Sequence, residues 1–333
     1  MEVLPLISHP TWFICSLFLS VMLWVRRRGS WSPATCPVDL RGKTAIVTGA
    51  NSGIGKWVAL DLARRNARTI LACRSRERGE AALEEIRRAT GNPNVHLRIL
   101  DTSSMASVRD FARQFLKEER RLDILVNNAG AVGLPFMVTA EGLELIIATN
   151  FLGSFLLTNL LLDIMKASAP ARIVNVSSFR HHHGKVNVKY LNGNEQPKSF
   201  DHAYNSTKLM NVVFTTELAR RLQGTGVIVN AQNPGAVKTE ILRNYSWWAR
   251  LLFNILGIFF LKAAKDGAVS TLYCAISEEV EGITGKYFDS DCSLTLPSPI
   301  AQDPGIGSKL WDASEKLTGL ENGGRKPAGH TLS

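Results

Sequence analysis

Tyr204 and Lys208 are the two residues whose types and spacing most directly suggest chemistry. They are four positions apart within a helical pattern over 203–223, so both side chains lie on one face of the predicted helix. A lysine ammonium beside a phenol stabilises the phenolate and lowers the phenol pKa from about 10 toward the working pH. The pair therefore predicts a general acid for carbonyl reduction and a general base for alcohol oxidation.

The spacing of this pair is common by chance, so its interpretation depends on the elements that position it. Predicted strands cover 43–48, 67–73, 94–100, 122–126, 171–176, 226–232 and 284–288. Predicted helices cover 53–66, 77–90, 104–119, 150–168, 203–223 and 264–277. Strands and helices that alternate in this way predict one Rossmann-type, doubly wound α/β sheet of about seven parallel strands with helices on both faces.

A glycine-rich turn joins the first predicted strand to the first predicted helix. Glycines let the backbone approach a pyrophosphate, and the helix N-terminus favours its negative charge. The G-x-x-x-G-x-G spacing differs from the G-x-G-x-x-G of two-domain dehydrogenases, and the segment could also be a simple turn. The predicted cofactor residues here are Thr48, Gly49, Asn51, Ser52, Gly53, Ile54 and Gly55.

The end of the second predicted strand favours NADP(H) over NAD(H). An NAD site usually has a carboxylate there for the ribose 2′-hydroxyl, but this chain has Arg74, whose guanidinium suits a 2′-phosphate. Lys56 and Arg76 are candidates for additional positive charge. The alternative is that all three are solvated surface cations.

The third and fourth predicted strands end in further cofactor candidates. Asp101 is predicted to bind the adenine amino group, with Thr102 beside it. Asn127, Ala129 and Gly130 follow the fourth strand, where small residues allow the cofactor close to the backbone, although the same residues could form an Asx turn.

Residues 43 to about 288 resemble the short-chain dehydrogenase/reductase family. The motifs that carry the resemblance are Thr48–Gly55, Asn127–Gly130, Asn150, Ser178, Tyr204–Lys208 and Pro234–Gly235. A finer resemblance is to the microsomal retinol dehydrogenase branch. It is carried by the N-terminal apolar segment and by Leu71–Arg74, Arg172–Ser178, Glu217–Leu222 and Lys309–Asp312.

The resemblance implies a role for each matching residue. Tyr204 donates the proton, and Lys208 holds the nicotinamide ribose. Ser178 hydrogen-bonds the substrate oxygen, and Asn150 supports Lys208, through a water. The residues implied to close over the nicotinamide and pyrophosphate are Pro234, Gly235, Val237 and Thr239.

The chain departs from the retinol dehydrogenase pattern at two positions. Ser154 and Asn233 stand where the branch usually has histidines, which bears on the substrate more than on the chemistry. The expected reaction interconverts a lipophilic carbonyl compound, such as retinal, and its alcohol. A steroid or lipid-aldehyde reductase and a non-catalytic NADP-binding membrane scaffold remain as alternatives.

Residues 1–28 are predicted to be a membrane anchor. No formal charge occurs from Val3 to Val25, and Arg26, Arg27 and Arg28 follow at once, so the arginines and everything after them are expected in the cytosol. A cleaved signal would have the reverse charge order. The remaining alternatives are a surface hairpin and an organelle-targeting leader. With the resemblance, the expected location is the endoplasmic reticulum membrane, as a single-pass protein.

The rest of the chain divides around one catalytic domain at 41–320. Residues 29–40 are predicted to be a linker and 321–333 a disordered tail. Within the domain, 239–262 is the predicted substrate region, where the apolar run 247–261 is either a lid that touches the bilayer or a buried core helix.

Composition excludes other classes of function. The net charge of +10 is spread over helical faces without zinc-finger spacing, so no nucleic-acid partner is expected. Five scattered cysteines argue against a disulfide framework and a zinc site. Adjacent histidines rarely converge on one ion, so His181–His183 is expected to be a loop near the substrate mouth without a metal.

Overall fold

A computed structural model describes residues 31–196, 199–237 and 261–320, together with positions 12, 14, 16 and 17. The predicted tail, Thr239 and the run 247–260 lie outside these residues, as does most of the predicted anchor. Part of the predicted linker is described, and it contacts the domain. The Arg65 guanidinium donates to the backbone oxygens of Pro33 and Cys36 at 2.6 and 2.7 Å.

One eight-stranded sheet organises the chain, in the order β3-β2-β1-β4-β5-β6-β7-β8. The strands are β1 (Thr44–Thr48), β2 (Arg68–Cys73), β3 (Val95–Ile99), β4 (Ile124–Asn127), β5 (Ala171–Val176), β6 (Val227–Gln232), β7 (Tyr287–Phe288) and β8 (Leu294–Thr295). The predicted doubly wound sheet is confirmed, and β1 to β7 are its parallel strands. The eighth strand was not predicted, and it runs antiparallel to β7.

Helices cover both faces of the sheet. They are α1 (Gly53–Arg64), α2 (Arg76–Thr90), α3 (Met105–Glu118), α4 (Leu145–Ala167, with a π turn at Ala148–Leu152), α5 (Val188–Leu191), α6 (Phe200–Arg221), α7 (Ala264–Gly267), α8 (Val269–Ile276) and α9 (Pro304–Thr318). Within the described residues, 3₁₀ turns lie at Pro33–Thr35, Phe179–His183, Glu278–Val280 and Pro299–Gln302. The helix α9 was not predicted.

The near-continuous apolar strands follow from burial on both faces. In β1, Ile46 points into a core beneath α3, α4 and α6, whereas Ala45 and Val47 point into a second core beneath α1 and α8. All five residues of β1 are buried. Such a strand therefore needs apolar residues at successive positions, without the alternation of a half-exposed strand.

In the described part of the chain, α4 is the one helix with the length and apolarity to cross a membrane. Its most apolar 18-residue window is 78% buried inside the domain. Phe151 and Phe155 pack against Phe214 of α6, with Phe155 also against Trp311 of α9. The apolarity of α4 is therefore that of a core helix.

Candidate active site

A cleft opens at the carboxyl ends of the strands, where the strand order reverses. From β1 the chain adds β2 and β3 on one side, and β4 to β7 lie on the other. Ligands of doubly wound sheets bind at this kind of switch point. Thirteen predicted residues line the cleft: Gly49, Asn51, Ser52, Gly53, Ile54, Arg74, Asp101, Thr102, Ala129, Gly130, Tyr204, Lys208 and Pro234.

The turn between β1 and α1 requires its glycines. Gly49 and Gly53 have φ of +68° and +57°, in the left-handed region that other residues rarely adopt. A Cβ on Gly55 would lie 2.4 Å from Nδ2 of Asn128 and 2.7 Å from the oxygen of Gly49. The Ser52 side chain makes no capping hydrogen bond to α1. The first-turn N–H groups of this helix therefore keep donors for an anion in the cleft.

Two exposed arginines line the end of the cleft beside β2. Arg74 follows β2 directly, and Arg78 lies in the first turn of α2. The other predicted cations lie outside the lining, because Lys56 forms an ion pair with Glu85 and Arg76 lies 3.6 Å from Glu80. Arg78, which sequence reasoning missed, therefore lines the cleft together with Arg74.

Several predicted cofactor residues shape the cleft without lining it. Thr48 is buried, and its hydroxyl oxygen accepts from the backbone N–H groups of Asn128 and Ala129, both at 2.9 Å. Asn127 is also buried and donates to Thr158 and Asn175. Both residues therefore hold the chain after β4 in place, and the neighbouring Asn128 is the one that reaches the cleft.

The turn after β6 brings Pro234 to the cleft but not the residues that follow it. Gly235 has φ of +83° and lies against Ser290. Val237 pairs with Lys262 in an isolated bridge. Val237 and Lys262, which flank the segment 238–261, therefore lie side by side, next to the cleft.

Lys208 reaches the floor of the cleft from α6. Its ammonium nitrogen lies 5.4 Å from the centroid of the Tyr204 ring and donates to the backbone oxygen of Val176 at 2.9 Å. The side chain is buried, and burial lowers the pKa of Lys208 to about 8. The predicted pair is therefore close in space as well as in sequence.

Ser178 lies at the end of β5 and caps the 3₁₀ turn Phe179–His183. Its hydroxyl oxygen accepts from the backbone N–H of Arg180 at 3.2 Å. Since the oxygen is the acceptor in that bond, the hydroxyl proton remains available to a substrate oxygen. The predicted role of Ser178 requires this proton, because the hydroxyl must donate a hydrogen bond to the substrate oxygen.

Asn150 lies in the π turn of α4. Its side chain makes two hydrogen bonds with the backbone of Ala131, at 2.7 and 2.9 Å. Its backbone oxygen accepts from Nδ2 of Asn211, which also lies 3.4 Å from the oxygen of Val176 that Lys208 binds. Asn211, which sequence reasoning missed, therefore connects Asn150 to the support of Lys208.

His181 is a buried structural residue. Its Nδ1 lies 2.8 Å from the oxygen of Ser178, and its Nε2 accepts from the backbone N–H of Ser298 at 3.2 Å. Burial lowers the pKa of His181 to about 4, so the ring is neutral. Among the described residues, no group of three His, Cys, Asp or Glu side chains could hold a metal ion.

The buried ammonium of Lys208 predicts a pH-dependent stability. Its pKa falls from 10.5 to about 8 on folding, so below pH 8 the burial costs about 3 kcal/mol. Between pH 8 and 10.5 the unfolded chain binds more protons, and the cost fades as pH rises. At pH 7 we expect the free energy of unfolding of Lys208→Met to exceed that of wild type by about 2 kcal/mol, because removal of the burial cost outweighs the loss of one hydrogen bond. The activity of this variant should disappear.

Urea unfolding of the full chain at pH 7 and pH 10 measures this effect. The exposed Lys185, replaced by methionine, is the matched control and should leave the free energy of unfolding nearly unchanged. A Lys208→Met protein that is less stable than wild type at pH 7, or equally stabilised at both pH values, contradicts the assignment of a buried charge.

Together, a glycine-lined cleft at the switch point and a tyrosine–lysine pair at its floor define a Rossmann-type oxidoreductase. Residues 43–249 match the model of the short chain dehydrogenase family. The chain belongs to that family, as its sequence predicted, and it is an oxidoreductase that acts on CH–OH donors.

Relatives and solved structures agree with this assignment. The chain is 46% identical to human retinol dehydrogenase 11 over 89% of this chain and 92% of that protein. It is 48% identical to human retinol dehydrogenase 12 over 85% and 88%. An uncharacterised protein from Mycobacterium paratuberculosis has a similar structure, with a TM-score of 0.71 and 33% identity over 87% of this chain and 98% of that one.

A second similar structure has a bound dinucleotide. It is a 3-ketoacyl-(acyl-carrier-protein) reductase from Brucella melitensis, complexed with NADH. Its TM-score is 0.58, with 27% identity over 75% of this chain and 97% of that one.

Proposed function

We propose that this protein is an NADP(H)-dependent oxidoreductase that interconverts retinal and retinol, with reduction driven by cytosolic NADPH. The observation that carries the proposal is the convergence of Tyr204 and Lys208 at the floor of a cleft whose other end has Arg74. The retinoid substrate is supported by the similarity to retinol dehydrogenases 11 and 12 over most of the chain.

Each side chain has a defined task in carbonyl reduction. NADPH supplies the hydride when it is bound. Ser178 donates a hydrogen bond to the carbonyl oxygen, and Tyr204 transfers its proton to that oxygen as negative charge develops there. Lys208 stabilises the resulting phenolate, and Asn150 fixes the loop at Ala131 beside the cleft.

Three features of the cleft fit a phosphorylated dinucleotide. The N-terminus of α1 lacks a side-chain cap, and its glycine turn has no room for a Cβ at Gly55. Arg74 and Arg78 lie where a 2′-phosphate is expected. The Brucella reductase was solved with NADH, so fold similarity alone does not select NADPH, and the choice depends on these arginines.

The alternative substrates are steroids and lipid aldehydes. These alternatives remain because Ser154 and Asn233 stand where the retinol dehydrogenase branch usually has histidines. Ser154 is buried in α4, and Asn233 bridges Asp289 and the N–H of Gly235.

An assay of purified full-length enzyme with retinal, a 3-ketosteroid and long-chain alkanals, each with NADPH and with NADH, tests the choice of substrate. We expect the highest kcat/KM for retinal with NADPH. A higher value for another substrate refutes the retinoid assignment, and no turnover supports the membrane scaffold.

We further propose that the protein is anchored in the endoplasmic reticulum membrane with its catalytic domain in the cytosol. The described N-terminal positions are helical, and Trp12, Ile14 and Leu17 are 60%, 62% and 54% exposed. Large apolar side chains exposed in this way suit a lipid environment. The arginines at 26–28 follow the apolar segment and favour the cytosolic side.

This topology predicts that the domain in intact microsomes is accessible to added protease and carries no glycan. Asn175 and Asn205 begin glycosylation triplets, but both are buried in the folded domain. The measurement is immunoblotting of sealed microsomes after protease or glycosidase treatment, with a lumenal protein as the control. Complete protection of the domain, or a glycosidase-sensitive shift in mass, refutes the topology.

A further inference from the structure

Arg180 is a cation beside the catalytic residues that the reaction described above does not use. Its guanidinium carbon lies 5.6 Å from the centroid of the Tyr204 ring. The ammonium nitrogen of Lys208 lies 5.4 Å from the same centroid. Both distances are within the roughly 6 Å over which a cation is attracted to an aromatic ring. Two cations from different elements therefore converge on one phenol.

Two contacts hold Arg180 in this place. Its Nη2 donates to the carboxylate of Asp201 at 2.8 Å, three residues before Tyr204 on α6. Its backbone N–H donates to the hydroxyl oxygen of Ser178. The Arg180 side chain is about one third exposed, so water screens its charge only in part. The Asp201 contact therefore holds the guanidinium beside Tyr204, and the Ser178 contact holds the backbone of Arg180.

We propose that Arg180 is a positioning residue whose charge, alongside that of Lys208, stabilises the deprotonated form of Tyr204. The proposal rests on Tyr204 as the acid–base residue of the proposed function. The Asp201 carboxylate holds the guanidinium and offsets part of its charge at the ring. Arg180 and Asp201 therefore act on the phenol in opposite directions.

The two cations differ in the pH range over which they act. Burial lowers the pKa of Lys208 to about 8, so its charge declines in mildly alkaline solution. A guanidinium stays protonated there. Arg180 is therefore the cation that persists at the ring at the alkaline pH where alcohol oxidation is favoured.

Other titratable groups near this part of α6 have different surroundings. The His181 ring is buried and neutral, with both nitrogens bonded. The ring of His202, also on α6, contacts Tyr190 at 5.6 Å between centroids. Arg180 and Lys208 both lie over the Tyr204 ring, and Asp201 is bonded to the guanidinium of Arg180.

The test is an ultraviolet titration of Tyr204 in the full-length protein with NADP⁺ bound. The phenolate signal is the difference between each protein and the same protein carrying Tyr204→Phe. For Arg180→Gln we expect the midpoint to rise by about 0.5–1 pH unit, and for Arg180→Lys we expect a much smaller change. For Asp201→Asn we expect a fall of about 0.3 unit. A companion assay follows kcat/KM for all-trans-retinol oxidation over the same pH range.

The opposite signs separate an effect of charge from an effect of structure. If the contact between Arg180 and Asp201 were only structural, Arg180→Gln and Asp201→Asn would both lower kcat/KM, and neither would shift the midpoint. An unchanged midpoint in Arg180→Gln, or shifts of both variants in one direction, overturns the proposal. If Tyr204→Phe retains full retinal reduction, the proposed function fails instead, and the titration still measures the effect of Arg180 on the phenol.

Discussion

Replacing Tyr204 with phenylalanine is expected to lower kcat for retinal reduction by about 10² or more, the scale of general acid–base catalysis. The substitution removes the hydroxyl but keeps the ring that Lys208 and Arg180 contact. The cleft should therefore keep its shape, and the Kd for NADPH should change little. Steady-state kinetics and NADPH fluorescence measure the two quantities separately.

Tyr190→Phe is the matched control for this variant. Tyr190 is a buried tyrosine on the short helix α5, and it does not line the cleft. We expect the control to keep kcat within about twofold, because a side chain outside the cleft makes no interaction with the transition state. Turnover near that of wild type in Tyr204→Phe removes Tyr204 from the role of proton donor.

Exchanging Arg74 for aspartate is expected to reverse the cofactor preference. A hydrogen bond to a charged group contributes roughly 1.5–3 kcal/mol, so one arginine on a 2′-phosphate favours NADPH about ten- to a hundredfold. Aspartate removes that attraction, repels the phosphate and can accept from the ribose hydroxyl of NADH. The measurement is kcat/KM for both cofactors in wild type and variant.

The neighbouring cations provide controls for Arg74. Arg74→Ala should lose most of the preference, and Arg78→Ala should lose part of it, because both side chains line the cleft. Arg76→Ala should keep the preference, because Arg76 lies outside the lining and near Glu80. An Arg74→Asp enzyme that still prefers NADPH shows that the phosphate binds elsewhere.

Much of the fold could be predicted because each buried strand and its covering helix have a local signal. Strand β8 could not, since its two residues are too short to show a period of two. The last helix does carry a local signal. Asp303 caps α9 immediately before Pro304, and Gly319 ends it in a left-handed conformation, which is the usual start and stop of a helix.

The site was predictable where a residue type is dictated by its own backbone position. The glycines of the first turn are of this kind, and the arginine after β2 is predictable from its place at the end of a strand. Asn211 and Arg180 were not, because their contacts join elements that are distant in the sequence. Asn211 lies 61 residues from the Asn150 oxygen that it binds, and Arg180 lies 21 residues from Asp201. Nothing local distinguishes such residues from ordinary helix or loop residues.

Transfer of deuterium from NADPH to retinal tests the central claim most directly. Purified full-length protein is incubated with all-trans-retinal and NADPH in which both hydrogens at C4 of the nicotinamide are replaced by deuterium, and the retinol is analysed by mass spectrometry. The account predicts retinol with one deuterium on its alcohol carbon, formed much more slowly by Tyr204→Phe and far less efficiently with deuterated NADH. Unlabelled retinol, no retinol, or equal efficiency with the two cofactors contradicts it.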